Sequence, residues 1–293
     1  MPYAAEWNRH LRMISIIRHA DLAAEEAAAL EKSLAGYYAN PPHSYYEIAD
    51  QAATQYQPNL MPFHCDLVGR VEPGWCVLEL GCGSAHLCPQ IEARGGHYTG
   101  ADHSLELMSK NRKRFSGARF FPLDAKISER FDVVASLYTI EHVVNPTGYL
   151  EKMWSLCREE GLLAVICPEF VDGEGFPPSL YYGRTPRRLR QKLASFAFVD
   201  AFQHALDLLW FAPRWKRRAR SAAPGAFWIN TRPSELQGQT HGVDTDAVHL
   251  PRMTDITAWM QNRGANIIAT SETLPAIPTE ILRYNCYVLA RKP

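Results

Sequence analysis

The feature that most restricts the fold of this chain is a regular alternation of strand-like and helix-like segments between about residues 70 and 170. Short apolar runs with β-branched residues predict buried strands, and the amphipathic stretches between them predict helices. In chain order the segments are WCVLELG, Ser84–Arg94, HYTGAD, SLELMSKNRKRF, ARFFPLDA, FDVVASLYTI, TGYLEKMWSLCREE and GLLAVICPEF. Because parallel strands need crossover connections, this β-α-β-α-β-β-α-β order predicts an α/β fold with a doubly wound, mostly parallel sheet.

The C-terminal residues supply the remaining strands. Met253–Arg263 has a helical pattern, and the runs ANIIATSE and YNCYVLARK have strand patterns. No helical pattern separates these two runs, so they are predicted to form an antiparallel hairpin at the edge of the sheet. The complete sheet would then have seven strands, with an antiparallel last strand.

The rest of the chain flanks this sheet. Residues 1–65 contain an Ala-, Leu- and Glu-rich stretch that favours helix, and they predict an N-terminal helical cap. Residues 66–170 form the predicted ligand-binding core. Residues 171–250 lose the periodicity and are rich in Pro, Arg and aromatic residues, which indicates an insertion before the sixth strand. Residues 251–293 complete the sheet.

Composition excludes several classes of protein. Thirty-one Lys and Arg balance 31 Asp and Glu, which excludes a generally basic nucleic-acid-binding protein. No apolar run reaches the roughly 18 residues of a spanning helix, and the N-terminus lacks the apolar region of a secretory signal, so we predict a cytoplasmic protein. The seven cysteines are an odd number without a C-x-x-C pair. This argues against a disulfide framework or a structural zinc site, and we predict no metal site.

The insertion concentrates positive charge. Residues 184–220 contain ten Lys or Arg and two Asp, a local net charge of +8. Within it, residues 194–211 are nearly all apolar except for side chains on one narrow helical face, namely Asp200, Gln203, His204 and Asp207. A lid helix over a substrate pocket is the favoured interpretation. A membrane-surface helix with a basic flank and a patch for an anionic substrate stay open. The basic residues lack interleaved aromatics beyond Trp215, which argues against nucleic acid.

A glycine-rich turn follows the first predicted strand. Glycines in Glu79-Leu80-Gly81-Cys82-Gly83 would let the backbone approach a ligand at the carboxyl edge of the sheet. Asp102 ends the next strand about 20 residues later, well placed to accept hydrogen bonds from ribose hydroxyls. The third glycine of the dinucleotide fingerprint is missing, because Ser84-Ala85-His86 follows Gly83. A nicotinamide site is therefore disfavoured.

With these features, residues 75–168 resemble the class I S-adenosylmethionine-dependent methyltransferases. VLELGCGSAHL is similar to the first motif of that family, YTGADHS to the second, FPLDA to the third and FDVVASLYTIEHVVNP to the fourth. GLLAVICPEF resembles the fifth strand. The best-matched subgroup ends its fourth motif in Glu-His-Val and includes quinone-type and many small-molecule methyltransferases. The resemblance implies a Rossmann-like methyltransferase fold that binds S-adenosyl-L-methionine and releases S-adenosyl-L-homocysteine.

The resemblance also implies roles for single residues in binding this cofactor. Gly81 and Gly83 would pass under its methionine part, and Glu79 would direct its amino end. Asp102 would accept from both ribose hydroxyls, and His103 would lie beside the adenine. The implied cofactor-binding set is Glu79, Gly81, Cys82, Gly83, Asp102, His103, Asp124, Ala125 and Leu137.

The last members of that set, and the predicted catalytic residues, lie around the third and fourth motifs. Asp124 would accept from the adenine amino group with a backbone contact from Ala125, and Leu137 would close the pocket near the methyl group. His142 is the first candidate for a base, because it follows the fourth strand beside Glu141; a purely structural role is the alternative. Tyr138 would orient the substrate or form a wall. Further candidates by position or residue type are His64, His241, Tyr45, Tyr46 and the segment 241–244.

The sequence thus predicts a methyltransferase for a small molecule, with O-methylation favoured. A sugar or glycolipid intermediate, a phenol and a secondary metabolite are compatible acceptors. Two alternatives stay open: a catalytically silent S-adenosylmethionine-binding scaffold, and a membrane-surface methyltransferase that acts on a lipid or quinone.

Overall fold

The computed structural model describes residues 15–39, 41–47, 61–181, 189–233 and 243–293. The strands are β1 (Ile16–Arg18), β2 (Cys76–Leu80), β3 (His97–Asp102), β4 (Arg119–Pro122), β5 (Phe131–Leu137), β6 (Cys157–Pro168), β7 (Trp228–Asn230), β8 (His249–Leu250), β9 (Asn266–Thr270) and β10 (Asn285–Arg291). The α-helices are α1 (Ala24–Ala39), α2 (Pro62–Gly69), α3 (Cys88–Ala93), α4 (Leu105–Arg114), α5 (Pro146–Leu156), α6 (Pro178–Tyr181), α7 (Leu189–Ala194), α8 (Phe198–Leu206), α9 (Ala212–Arg220), α10 (Met253–Gln261) and α11 (Thr279–Leu282). Residues 43–47 are also helical, and Asp207–Phe211 forms a π-helical turn between α8 and α9.

Seven strands form the main sheet in the order β4-β3-β2-β5-β6-β10-β9. The first five are parallel, whereas β10 is antiparallel to both of its neighbours. This confirms the predicted α/β class, the seven strands and the antiparallel last strand. The predicted antiparallel pair of the last two strands lies at the edge of the sheet, with β9 outermost and β10 between β9 and β6. The prediction that no helix separates these two strands was wrong, because the short helix α11 lies between β9 and β10.

Helices cover both faces of the sheet because successive strand residues point to opposite sides. Val134 of β5 packs in a cluster with Met153 of α5 and Ile256 of α10. Its neighbour Val133 belongs to a second cluster, which includes Leu107 of α4. The buried apolar runs read from the sequence therefore lie in a two-sided core, as a parallel sheet requires.

Two predicted helix boundaries were wrong for local reasons. The first core helix begins at Cys88 rather than Ser84, because Ala85 has a φ of +55° that a right-handed helix does not allow. Residues 157–160 were assigned to the preceding helix but belong to β6, where Cys157 pairs with Phe131.

A small second sheet joins the N-terminal region to the insertion. Its order is β1-β7-β8, and β1 pairs antiparallel with β7 between Ile16 and Asn230. Leu30 and Leu34 of α1 pack against Ile229 and against Val144, which follows β5. Through these contacts, α1 is fixed beside the carboxyl edge of the main sheet. Among the described residues, no helix combines the length and apolarity needed to cross a bilayer.

Gly100 in β3 allows close packing against the glycine-rich turn. A Cβ at this position would lie 2.7 Å from the Cys82 sulfur and 3.0 Å from the Phe120 ring. We expect Gly100→Ala to lower the free energy of unfolding by about 1–3 kcal/mol, the usual range for overpacking. The melting temperature should fall by several degrees in differential scanning calorimetry.

The matched control is Gly36→Ala in helix α1, where the added Cβ would meet nothing within 4 Å. Alanine is the better helix former by about 1 kcal/mol, so this variant should be neutral or stabilised. Equal melting temperatures for the two variants would contradict the packing argument.

Candidate functional site

A cavity of about 1020 Å³ opens at the carboxyl edge of the main sheet. Its floor comes from the residues that end or follow β2, β3, β5 and β6, including Gly81, Asp102, Tyr138 and Pro168. Its other walls include residues of α1, Tyr45, residues 174–176, and Val243, Asp244 and Asp246 of the insertion. The sheet therefore supplies the position at which ligands bind in open α/β folds.

The turn after β2 brings bare backbone to the cavity. Gly81 has a φ of +76°, and a Cβ there would lie 2.2 Å from the side chain of Thr139. Gly83 has a φ of +48°, and a Cβ there would meet nothing within 4 Å. The side-chain amide of Asn111 donates to the Gly83 carbonyl at 2.7 Å. Glycine is thus required at position 81 for conformation and close packing, while Gly83 borders open space.

Asp102 is held by the backbone on both sides of the cavity floor. The Gly83 N–H donates to its Oδ2 at 2.8 Å, and the Ser104 N–H donates to its Oδ1 at 2.8 Å. The carboxylate is buried and lines the cavity. Because each oxygen accepts one amide and has further lone-pair capacity, the group is fixed and can still accept hydroxyl protons from a ligand.

Glu79 is a buried carboxyl group at the end of β2. It accepts a hydrogen bond from the hydroxyl of Tyr98. Burial raises the pKa of Glu79 to about 8, although the Tyr98 hydrogen bond opposes this. A positive group in the cavity would favour the ionised form of Glu79.

The charge of the cavity restricts what it can bind. Its acidic lining residues are Glu31, Glu79, Asp102, Glu141, Glu169, Glu174, Asp244 and Asp246. None of the described lining residues is Lys or Arg. These acidic side chains suit a ligand that carries positive charge, and S-adenosylmethionine carries both an ammonium and a sulfonium. The residues present therefore fit the predicted cofactor.

The structure brings most of the predicted residues to this one cavity. Those that line it are Glu79, Gly81, Cys82, Gly83, Asp102, His103, Leu137, Tyr138, His142, His64 and Tyr45. Asp124 and Ala125 do not line it, and Leu123 does so instead. Asp124 is exposed, and the Ala125 amide that was expected to reach a ligand donates to the Pro122 carbonyl at 3.0 Å. Tyr46 lies outside the lining, beneath the Lys110 ammonium. His241 is outside the described residues.

Tyr138 turns the chain from β5 into the cavity wall. Its φ of +50° is uncommon for a residue with a side chain. Its amide donates to the Ile166 carbonyl at 2.7 Å, and its hydroxyl donates to Oδ1 of Asn285 at 3.1 Å. Its ring stacks on His64, with centroids 6.2 Å apart. These bonds hold the strained turn and place a phenol ring at the cavity surface.

His142 lies among carboxylates from two parts of the chain, residue 141 and residues 244–246. Its Nδ1 is 3.5 Å from Oδ2 of Asp246, and its Nε2 is 3.8 Å from Oε1 of Glu141. The same Asp246 oxygen accepts from the hydroxyl of Tyr38 in α1, whose ring meets His142 edge-on with centroids 6.2 Å apart. Asp244 also belongs to this group, which we call the His142 cluster: Tyr38, Glu141, His142, Asp244 and Asp246.

The electrostatics of the His142 cluster favour a bound proton. Burial opposes protonation of His142, but Asp246, Glu141 and Asp244 outweigh it and hold the pKa of His142 above its ordinary value. Burial also raises the pKa of Glu141, whose carboxyl is fully buried and whose oxygens accept no hydrogen bond from the described residues. Donor atoms of Glu141, His142 and Asp244 lie within 4.8 Å of one another, a spacing that a divalent cation could also bridge.

Sequence reasoning missed Tyr38, Asp244 and Asp246 as site residues. The segment 241–244 was identified only as one that could shape a pocket. Tyr38 and Asp246 are 208 positions apart in sequence, and no local pattern connects them. Their contact depends on the small sheet, which places α1 beside the insertion.

Comparison with known proteins gives consistent relatives. A family model described as a methyltransferase domain matches residues 51–270, more than half of the chain. A ubiquinone biosynthesis O-methyltransferase of Rhodopseudomonas palustris is 25% identical over 197 residues, which cover 59% of this chain and 75% of that protein. A protein of the same name from Bradyrhizobium diazoefficiens is 26% identical over 126 residues, which cover 40% of this chain and 47% of that protein.

One solved structure is similar over nearly the whole chain. It is the 1,6-didemethyltoxoflavin-N1-methyltransferase of Burkholderia thailandensis, with bound 1,6-didemethyltoxoflavin and S-adenosylhomocysteine. The TM-score is 0.52 at 16% identity, and the alignment covers 95% of this chain and 94% of that chain. At this identity the likeness shows the fold.

Proposed function

Because the chain belongs to the methyltransferase-domain family of class I S-adenosylmethionine-dependent enzymes, we propose that it methylates a hydroxyl oxygen of an uncharged small molecule. The observation that carries this proposal is the position of His142, a polarised imidazole in the wall of the cavity that also holds Asp102 and the glycine turn. A cytoplasmic location stays a prediction from the sequence.

The cofactor supplies an electrophilic methyl group on a sulfonium. Glu79, Gly81, Gly83 and Asp102 would hold it through a carboxyl group, bare backbone and two amide-anchored oxygens. His103, Cys82 and Leu137 are the further residues that we assign to its surroundings. Asp124 and Ala125 are left out of this assignment, since Leu123 takes their place in the cavity wall.

The acceptor side of the cavity is aromatic and acidic. Tyr38, Tyr45, Phe170 and Phe176 line it together with the carboxylates, and no Lys or Arg does so among the described residues. Phosphate or carboxylate groups on an acceptor would meet repulsion there, which disfavours phosphorylated sugars. The names of the curated relatives also favour oxygen over nitrogen. A phenol, a hydroquinone or a neutral secondary metabolite is therefore the proposed acceptor class.

Proton transfer is the chemical task that falls to this chain's own side chains. A hydroxyl oxygen that forms a new bond to carbon must lose its proton, and a positioned imidazole typically contributes 10²–10⁴-fold to such a step. We assign His142 as the acceptor of that proton. Asp246 and Glu141 stabilise the resulting imidazolium, and Tyr138 lines the path as an orienting residue.

The test has two parts. Calorimetry should show S-adenosylmethionine and S-adenosylhomocysteine binding below millimolar concentration, and failure of both to bind would overturn the cofactor assignment. Mass spectrometry should then detect methylated products from a panel of catechols and hydroquinones, with amines as the comparison set. Binding without turnover on any acceptor would favour the silent scaffold. Activity should persist in EDTA; loss that Mg²⁺ or Mn²⁺ restores would assign the His142 cluster to a metal ion.

The pH dependence of kcat/KM should change when the contact between Asp246 and His142 is removed. The neutral imidazole is the active form of the base, so kcat/KM should fall as pH drops through the raised pKa of His142. Asp246→Asn removes one nearby negative charge, which lowers that pKa and shifts the acidic limb to lower pH by about 1 unit. Glu272→Gln, at an exposed site outside the cavity lining, is the control and should leave the profile unchanged. An unshifted limb in Asp246→Asn would remove Asp246 from the proposed role.

A further inference from the structure

The helical segment Phe198–Arg220 is formed by α8, the π-helical turn and α9. In its first half, polar side chains are buried and large apolar side chains are exposed, the reverse of an ordinary surface helix. The polar side chains of that half are between 2% and 7% exposed, namely Asp200, Gln203, His204 and Asp207. Five of its large apolar side chains are between 52% and 75% exposed, namely Phe198, Val199, Phe202, Leu209 and Trp210, while Leu206, Leu208 and Phe211 are half-buried. We call the five exposed residues, together with the neighbouring Leu193 and Phe196, the apolar face.

Side-chain contacts hold the helix in this orientation. Lys192, which is fully buried, forms an ion pair with Asp200 at 3.1 Å. Ala201 and Ala212 of the segment are buried as well, so the helix packs on its polar and small residues. Turning the apolar face inward would expose this ion pair and break the packing. The exposed apolar face is therefore a property of the folded chain.

Exposure on this scale is unusual for a surface that meets only water. The described part of the chain has eleven exposed large apolar residues, and seven of them lie within residues 193–210. Each buried square ångström of apolar surface is worth about 25 cal/mol, so such a face is expected to contact an apolar partner. The segment also does not line the cavity, which argues against the lid predicted from the sequence.

The exposed charges that residues 189–220 contribute beside the apolar face have a single sign. Between Leu189 and Arg220 the only acidic residues are Asp200 and Asp207, and both are buried. The exposed charged side chains of that span are all arginines, namely Arg190, Arg214, Arg217, Arg218 and Arg220. Arg220 is paired with Asp172 at 3.8 Å, so the arginines that we consider for a partner are the other four. Arg214 lies over the Trp210 ring, 3.3 Å from its centroid, so the cationic end directly adjoins the apolar face. A second copy of this chain would bring like charges together, whereas an anionic partner complements them.

We propose that the apolar face and these arginines bind the surface of an anionic lipid bilayer. Phe and Trp side chains would enter the boundary between headgroups and acyl chains, and the arginines would contact lipid phosphates. The helix lies flat on the membrane in this arrangement and does not cross it.

The segment Phe198–Arg220 is hydrogen-bonded to the loop that forms part of the cavity wall. The Lys216 ammonium donates to the carbonyls of Gly173 and Gly175 at 2.6 and 2.7 Å, and residues 174–176 line the cavity. A lipophilic acceptor could thus pass from the membrane to the site, an extension that rests on the proposed function. The membrane contact itself does not depend on it.

Vesicle flotation tests the proposal without cofactor or acceptor, so its result is independent of methyl transfer. We expect at least tenfold more protein to float with phosphatidylcholine–phosphatidylglycerol vesicles than with phosphatidylcholine alone, and 0.5 M NaCl should reduce this binding. The variants F198S/F202S/L209S and R214Q/R217Q/R218Q should each lose at least tenfold in binding. Leu105→Ser and K113Q/R114Q, which alter an exposed apolar residue and exposed basic residues of α4, are the matched controls and should bind like the unmodified protein.

Tryptophan fluorescence of the unmodified protein tests the proposal even if the multiple variants fold poorly. Brominated acyl chains should quench tryptophan fluorescence, and Trp210→Phe should remove most of that quenching. Equal binding to neutral and anionic vesicles, or none to either, would overturn the proposal. A dimer of the unmodified protein that F198S/F202S/L209S converts to monomer in light scattering would overturn it in favour of self-association.

Discussion

Replacing Asp102 with alanine is expected to weaken the binding of S-adenosylmethionine and S-adenosylhomocysteine by tenfold to a hundredfold, about 1.4–2.7 kcal/mol. The carboxylate lines the cavity and would accept the ribose hydroxyls, and hydrogen bonds to charged groups contribute about 1.5–3 kcal/mol. It also anchors the amides of Gly83 and Ser104, so its loss loosens the turn that would support the rest of the cofactor.

Isothermal titration calorimetry measures this effect, with Asp124→Ala as the matched control. The resemblance to known methyltransferases assigns Asp124 to the adenine, but its side chain is exposed and outside the cavity lining. We therefore expect Asp124→Ala to bind both ligands within about twofold of the unmodified protein. Asp102→Asn keeps the shape of the side chain and one acceptor oxygen but removes the negative charge. Its affinity for the two ligands therefore measures how much the charge itself contributes to binding. Unchanged affinity in Asp102→Ala would show that the ribose contact is misplaced.

The main sheet was predictable because its signal is local and repeated. Each strand from β2 to β6 is a short apolar run, and turns or amphipathic helices separate them. The site residues at the strand ends were predictable for the same reason. A glycine turn that follows β2 and an acidic residue that ends β3 must meet at one edge of the sheet when the two strands are parallel. Strand order at the far edge was not predictable, because a hairpin pattern does not specify which strand pairs with β6.

The His142 cluster was only half predictable. Glu141 and His142 are adjacent and follow a strand, which marks them as candidates from sequence alone. Asp246 and Tyr38 reach them through a sheet whose strands are two or three residues long, too short for a periodic pattern. The Asp246 carboxylate, 3.5 Å from Nδ1 of His142, therefore became visible only in three dimensions.

The segment Phe198–Arg220 shows a different limit. Its polar stripe was evident in the sequence, because amphipathic periodicity specifies which residues share a face. Periodicity does not specify which face packs inward, and a stripe of polar residues is usually solvated. Here the buried Lys192–Asp200 ion pair reverses that preference.

The strongest effect on turnover is expected at His142. We expect His142→Ala to lower kcat by about 10²–10⁴-fold on a hydroxyl acceptor, the range for loss of a positioned acid–base group. The affinity for S-adenosylmethionine should change by less than about threefold, because His142 contacts Asp246 and Tyr38 and is not among the residues that we assign to the cofactor. A loss confined to kcat would identify a role in the chemical step.

Two further measurements separate a base from a residue that only supports the wall. Imidazole added to His142→Ala should restore part of the rate, with a pH dependence that follows the added base. His142→Gln keeps much of the size and polarity, so a structural role predicts near-normal turnover, whereas a proton-transfer role predicts a loss close to that of the alanine variant. His142→Gln keeps Glu141 and Asp246 in place but leaves no imidazole to take the proton, and an amide side chain is not a base near neutral pH. Normal kcat in both variants would remove His142 from the mechanism, and the cavity would then have to bind an acceptor that reacts without a side-chain base.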